Sequence, residues 1–181
     1  MRKVLVILGQ LRDTDAEWMA RAGVKREVSN GETIITEGEK GDKLFILLEG
    51  YLRIEDSRIG AIATLGSGEI VGEMSYVDDA PPSASVVADG DCVVLELSHE
   101  NLDGRMESDP GFGMRFYRAL SFFLADRLRG TVRRFGYGQA VNLDTDEVLE
   151  DELDDRLLDS VSLAGDRFDR MLKLLAGARS G

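Results

Sequence analysis

Between residues 24 and 97 the chain falls into short apolar runs, at 33–36, 44–48, 51–54, 59–65, 85–88 and 92–97, and none is long enough for a stable helix. Glycines at 31, 38, 41, 50, 60, 66, 68, 72 and 90 punctuate them. The runs are rich in Val, Ile, Leu and Phe, the residues that suit a pleated, half-buried surface. Many short strands with turn residues between them predict an antiparallel sandwich or small barrel rather than a parallel, helix-wrapped sheet.

Helical signals stand on both sides of this stretch. Residues 1–23 read as helical, with Thr14 and Glu17 spaced as a capping box and Trp18, Met19 and Ala22 following at helical intervals. After residue 97, Ser98 caps a short helix, and Asp109-Pro110 opens a longer one. Phe112, Phe116, Leu120, Leu124 and Leu128 then recur every four residues, and Ala119 and Phe123 widen the stripe. Its polar side carries Arg115, Arg118, Arg127, Arg129, Arg133 and Arg134, read as a solvated face or a partner for the acidic stretch 144–159. That stretch holds nine acidic side chains and one base, Arg156. Val161, Phe168, Met171, Leu172 and Leu175 beyond it predict a final amphipathic helix.

Charge and composition remove several functions. A formal net charge of −12 disfavours a protein whose main task is gripping nucleic acid or an anionic membrane. The basic start and the apolar run at 4–8 resemble a clipped signal peptide, but acidic residues follow without a small-residue cleavage site. Together with one cysteine, Cys92, this predicts a cytoplasmic chain without a membrane span. One histidine, His99, leaves no Cys/His metal set and no histidine-based triad. Glu73 with Asp78 or Asp79 could be drawn as an acid–base pair, but no nucleophile or base accompanies them, so no catalytic or metal-binding residue is assigned. The acids at 144–152 lack the glycine and spacing of a calcium loop.

The segment richest in chemistry runs from Gly72 and Glu73 through Met74 and Asp78-Asp79 to Pro81-Pro82-Ser83-Ala84-Ser85. A glycine there permits close backbone approach, and an acidic residue beside it can accept hydrogen bonds from sugar hydroxyls. A helical turn beginning at that point aims backbone N–H groups at an anion, and Ser83 with the amides around it offers further donors. By composition alone it is more simply a glycine turn followed by a proline-bearing loop.

Upstream stand Gly41-Asp42-Lys43-Leu44-Phe45-Ile46, ending at Gly50, and Gly66-Ser67-Gly68-Glu69-Ile70-Val71 directly before Gly72. With these motifs, residues 10–135 resemble the cyclic nucleotide-binding domain family. The resemblance implies an α+β fold: an antiparallel β-roll of the jelly-roll type, flanked by N-terminal and C-terminal helices. It implies a cyclic nucleotide, cAMP or cGMP, as ligand. Glu73 matches the glutamate that holds the ribose 2′-hydroxyl, Gly72 and Met74 the turn whose backbone meets the ligand, and Ser83 and Ala84 the small residues whose amides meet the cyclic phosphate. At Pro82 the family pattern has an arginine that neutralises that phosphate. Proline supplies neither charge nor N–H, so weak binding is expected.

The chain therefore divides into residues 1–138, a cyclic nucleotide-binding-like domain with its flanking helices, and 139–181, an acidic linker and an amphipathic helix. In the resembling family the long helix after the roll relays ligand occupancy. Transcription-factor relatives continue into a helix-turn-helix, whereas the 43 residues after Gly138 are acid-rich and show no basic recognition helix. The expectation is a non-enzymatic, stand-alone regulatory module. It would form a homodimer and meet a protein partner through its C-terminal helices, without DNA or membrane. The alternative is a scaffold that keeps the roll but binds no nucleotide.

Overall fold

The computed structural model describes residues 8–136 and 155–177. Among them run strands β1 (Val24–Val28), β2 (Thr33–Ile35), β3 (Lys43–Glu49), β4 (Tyr51–Asp56), β5 (Gly60–Gly66), β6 (Ile70–Val71), β7 (Ser85–Ala88) and β8 (Cys92–Ser98). The helices are α1 (Asp13–Ala22), α2 (Glu73–Asp78), α3 (His99–Ser108), α4 (Pro110–Gly136) and α5 (Asp155–Gly177). The strands form two antiparallel sheets, ordered β1-β8-β3-β6 and β2-β7-β4-β5. This is the expected α+β roll with helices before and after it.

Side-chain alternation explains how one sheet serves two cores. Residues 44–48 of β3 are all buried, which a one-sided strand cannot manage. Phe45 and Leu47 face the interior of the roll with Val28, Leu52, Val71, Val86 and Val94. Leu44, Ile46 and Leu48 face the other way, onto Met19, Leu102, Phe112 and Phe116 of the helices. The apolar-run reading misses β1 and β6. Strand β1 is mostly charged, and pairing with β8 from Val24↔Glu96 to Val28↔Cys92 defines it. Two cations satisfy Glu96, which is almost buried: Arg26 Nη1 donates to it at 2.7 Å and Lys43 Nζ at 2.9 Å.

Gly50 makes the turn from β3 to β4 at φ +89°. A Cβ there would lie 2.6 Å from Cys92 Cβ and 2.9 Å from the Asp91 carbonyl, so both conformation and space demand glycine.

The helix starts partly follow the sequence. Ser98 Oγ accepts from Asn101 N at 3.2 Å, and Asp109 Oδ1 from Phe112 N at 3.0 Å, as their positions predict. The Thr14–Glu17 capping box does not form. Helix α1 is capped two residues earlier, with Arg12 N donating to Asp15 Oδ2 at 2.8 Å. Asp15 is fully buried and also takes both ends of the Arg115 guanidinium, at 2.8 and 2.9 Å, so it ties α1 to α4. Trp18 meets Phe112 edge-on at 5.2 Å between ring centroids, and the Arg105 guanidinium lies 5.7 Å from the Trp18 ring.

Two readings of α4 need correction. Phe112, Phe116, Ala119, Leu120 and Phe123 are buried, but Leu128 is 63% exposed and leaves the stripe as the helix runs past the roll. The arginine face is not uniformly solvated: Arg115 is bound to Asp15, and Arg127 pairs with Glu73. The apolar stripe of α5 is likewise not an unpartnered surface. Ala164, Phe168, Met171 and Leu175 are buried in the helical core that holds Leu8, Met19 and Ala20. Arg167 fastens this contact, donating to Asp13 Oδ1 at 2.7 Å and to the Leu8 carbonyl at 2.8 Å. Residues 1–7 and most of the acidic stretch 144–159 lie outside the described residues. No described helix is long and apolar enough to cross a membrane.

Candidate functional site

Strand β6 ends against β3, and Gly72 turns the chain sharply at φ +87° into α2. A Cβ on Gly72 would stand 2.8 Å from the Lys43 carbonyl of β3. The close backbone approach read from the sequence is therefore an approach to the first sheet. It fixes where α2 begins, and so where Glu73 sits.

Glu73 is the first residue of α2 and is 1% exposed. A buried carboxylate is costly without a charged partner. Its partner is Arg127, which comes from the far end of α4, pairs with Glu73 Oε1 and donates to the Ile70 carbonyl at 3.3 Å. The Arg127 guanidinium also lies 4.6 Å from the centre of the Phe123 ring, one helical turn back. The arginine thus closes over the start of α2.

Tyr76, on the same short helix, makes the second link. Its hydroxyl donates to Asp103 Oδ1 of α3 at 2.7 Å, and its ring stacks on Tyr117 of α4 at 6.3 Å and tilts against His99 at 4.8 Å. Burial, aided by the Asp103 carboxylate, pushes the Tyr76 hydroxyl above its ordinary pKa of 10, so it stays a neutral donor. Burial likewise holds the His99 imidazole below its usual value. Helix α2 is thus joined to α3 and to α4.

Of the other residues singled out in the sequence, Met74 follows Glu73 on α2, and Pro82, Ser83 and Ala84 lie along the loop beyond. Met74 is 52% exposed, Ser83 is exposed, and Pro82 and Ala84 are half-buried. The Pro82 carbonyl accepts from Gly38 N at 2.8 Å, and Ser85 Oγ from Glu37 N at 3.0 Å, so the β2–β3 loop braces this segment. Asp78 and Asp79 are exposed at the opposite end of α2 from Glu73, so the three carboxylates form no acid–base pair. Lys40 Nζ reaches Asp79 Oδ2 at 2.8 Å. Among the described residues no cluster of His, Cys, Asp and Glu could hold a metal ion. The sequence reading assigned no site role to Arg127, Tyr76 or Lys40. Arg127 was nonetheless legible as the residue four places after Phe123 on the same helical face.

Residues 25–109 match the family described as cyclic nucleotide-binding domain. A cAMP-dependent protein kinase regulatory subunit from Yarrowia lipolytica is 30% identical over 117 residues, covering 60% of this chain and 31% of that protein. The Cyclic AMP receptor protein of Thermus thermophilus is 35% identical over 81 residues, covering 42% of this chain and 38% of that protein. The chain thus spans about a third of the length of these curated relatives. A crystal structure of a cyclic nucleotide-binding domain from Methylobacillus flagellatus superposes with a TM-score of 0.68 at 24% identity, covering 78% of this chain and 85% of the other. That likeness bears on the fold.

Proposed function

We propose, from the match of residues 25–109 to the cyclic nucleotide-binding domain family, that the protein is a non-enzymatic sensor of cAMP or cGMP acting through its helices. The observation that carries this reading is the pair between Glu73 and Arg127. A ribose hydroxyl seeking the Glu73 carboxylate meets an arginine anchored on α4. Ligand arrival then redistributes the hydrogen bonds of Arg127 and alters how the distal part of α4 is held. Tyr76 gives α2 a second grip on the same helix. Gly72, Met74, Ser83 and Ala84 complete the proposed contact set.

Calorimetric titration of the full chain with cAMP and cGMP tests it. Weak saturable binding is expected, and Glu73→Ala should reduce it by about ten- to a hundredfold, the worth of hydrogen bonds to a charged group. Pro82 favours the second reading, a scaffold whose roll binds no nucleotide. If neither the protein nor Pro82→Arg binds either nucleotide, that reading stands and the sensor is rejected.

The proposed sensor is a homodimer joined through α4, with a further protein partner on its C-terminal helices. The α5 stripe does not argue for this, being covered within the chain. What supports it is the outer side of α4, where Met114 is 71%, Tyr117 45%, Phe122 42% and Leu128 63% exposed. Sedimentation should find a dimer that Met114→Glu with Leu128→Glu converts to monomer. A wild-type chain that stays monomeric across a wide concentration range refutes it.

A further inference from the structure

From residue 72 to 86 the sequence contains three acids, Glu73, Asp78 and Asp79, and no base. A cationic side chain for an anion held there has to come from another element. Among the described residues, Arg127 and Lys40 reach this segment, one at each end of α2. Arg127 pairs with Glu73 beneath α4 and also bonds the Ile70 carbonyl and lies over Phe123, so it is fixed at the ribose end. Lys40 pairs with Asp79 at the surface, where its side chain is 57% exposed and that of Asp79 is 91% exposed. Exposed pairs of this kind are worth little, so Lys40 exchanges partners at small cost.

The loop that carries Lys40 is registered against the phosphate segment. Gly38 N bonds the carbonyl of Pro82, Glu37 N bonds Ser85 Oγ, and Lys40 bonds Asp79. The backbone two residues before Lys40 therefore touches the very position that lacks a basic side chain. The ammonium sits on a flexible four-carbon stem, so its position is not tied to that of this backbone.

We propose that Lys40 supplies the counter-charge for the cyclic phosphate, in place of a basic residue at position 82, with Asp79 holding it in the absence of ligand. This rests on the cyclic-nucleotide reading above. A lysine at this point acts as a point charge rather than a two-pronged donor, so it attracts the phosphate without fixing its orientation.

Calorimetric titration of the full chain and its variants with cAMP and with adenosine, which lacks the phosphate, separates the cases. Lys40→Ala should weaken cAMP about tenfold and leave adenosine unchanged. Lys40→Arg should retain cAMP affinity, and Asp79→Asn, which releases the lysine, should raise it. Equal losses for both ligands, or no loss for cAMP, overturn the assignment of Lys40 while leaving the site itself standing. If the wild type binds no cAMP but Pro82→Arg does, Lys40 is excluded and the location of the site is upheld. If no variant binds either ligand, the cyclic-nucleotide reading fails and takes this assignment with it.

Discussion

Pro82→Arg is expected to tighten cAMP binding by roughly ten- to a hundredfold, the worth of one charge-assisted contact. The backbone at this position is already fixed, since the Pro82 carbonyl is bonded to Gly38 N and the neighbouring Ser85 hydroxyl to Glu37 N. The substitution adds a guanidinium and an N–H to a loop that has its shape. Loss of the proline ring frees the unfolded chain and costs about 0.4–1 kcal/mol of stability. That lowers the melting temperature without changing the order of affinities. If Lys40 already meets the phosphate, the gain falls near the lower bound, and Lys40→Ala in the Pro82→Arg background costs less than in the wild type. Titration calorimetry reads both quantities. No gain from the arginine would show that the loop does not face a phosphate.

Asp15→Asn should destabilise the fold by on the order of 3 kcal/mol, because it leaves the largely buried Arg115 guanidinium only the longer 3.8 Å contact to Asp109 Oδ2 in place of its close carboxylate partner. Burial alone would raise the Asp15 pKa, but the hydrogen bonds from Arg115 and the Arg12 amide outweigh it, so the carboxyl titrates below its ordinary 3.8. A depressed folded-state value means the stabilisation is complete above the unfolded value and lost as pH falls through the folded one. Acidification below pH 3.8 should therefore weaken the wild type more steeply than the variant. Urea unfolding at neutral pH and at successive acidic values measures this. Parallel pH profiles would mean that Asp15 is not the group responsible.

The roll was legible because its turns demand glycine and its interior demands apolar side chains, and both demands are written locally. Gly50 and Gly72 stand where the backbone takes positive φ against another strand. Strand β1 escaped because its partners lie about seventy residues away, and what defines it is a ladder to β8 and the Arg26–Glu96 pair. The cap of α1 escaped for a similar reason. Thr14 and Glu17 satisfy the local pattern, but Asp15 gains Arg115 from a helix a hundred residues on, and that contact decides which residue turns inward. At the site, Glu73 could be singled out from its neighbours in sequence, whereas Arg127 and Lys40 reach it only after α4 and the β2–β3 loop are in place. Local chemistry marks the candidate site. It does not mark the charges that tertiary structure delivers there.

The edge-on contact of Trp18 with Phe112 has a practical side. Trp18 is the only tryptophan in the sequence, and it sits where α1, α3 and α4 meet, with a guanidinium beside its ring. Its emission therefore reports that junction alone, from unlabelled protein, while the nucleotide chemistry proposed at α2 occurs elsewhere on α4. A shift of α4 reaching its first turn would alter the environment of the indole, whereas a ligand that settles without moving the helix would leave the spectrum as it was. The chain carries its own optical gauge for telling occupancy from response.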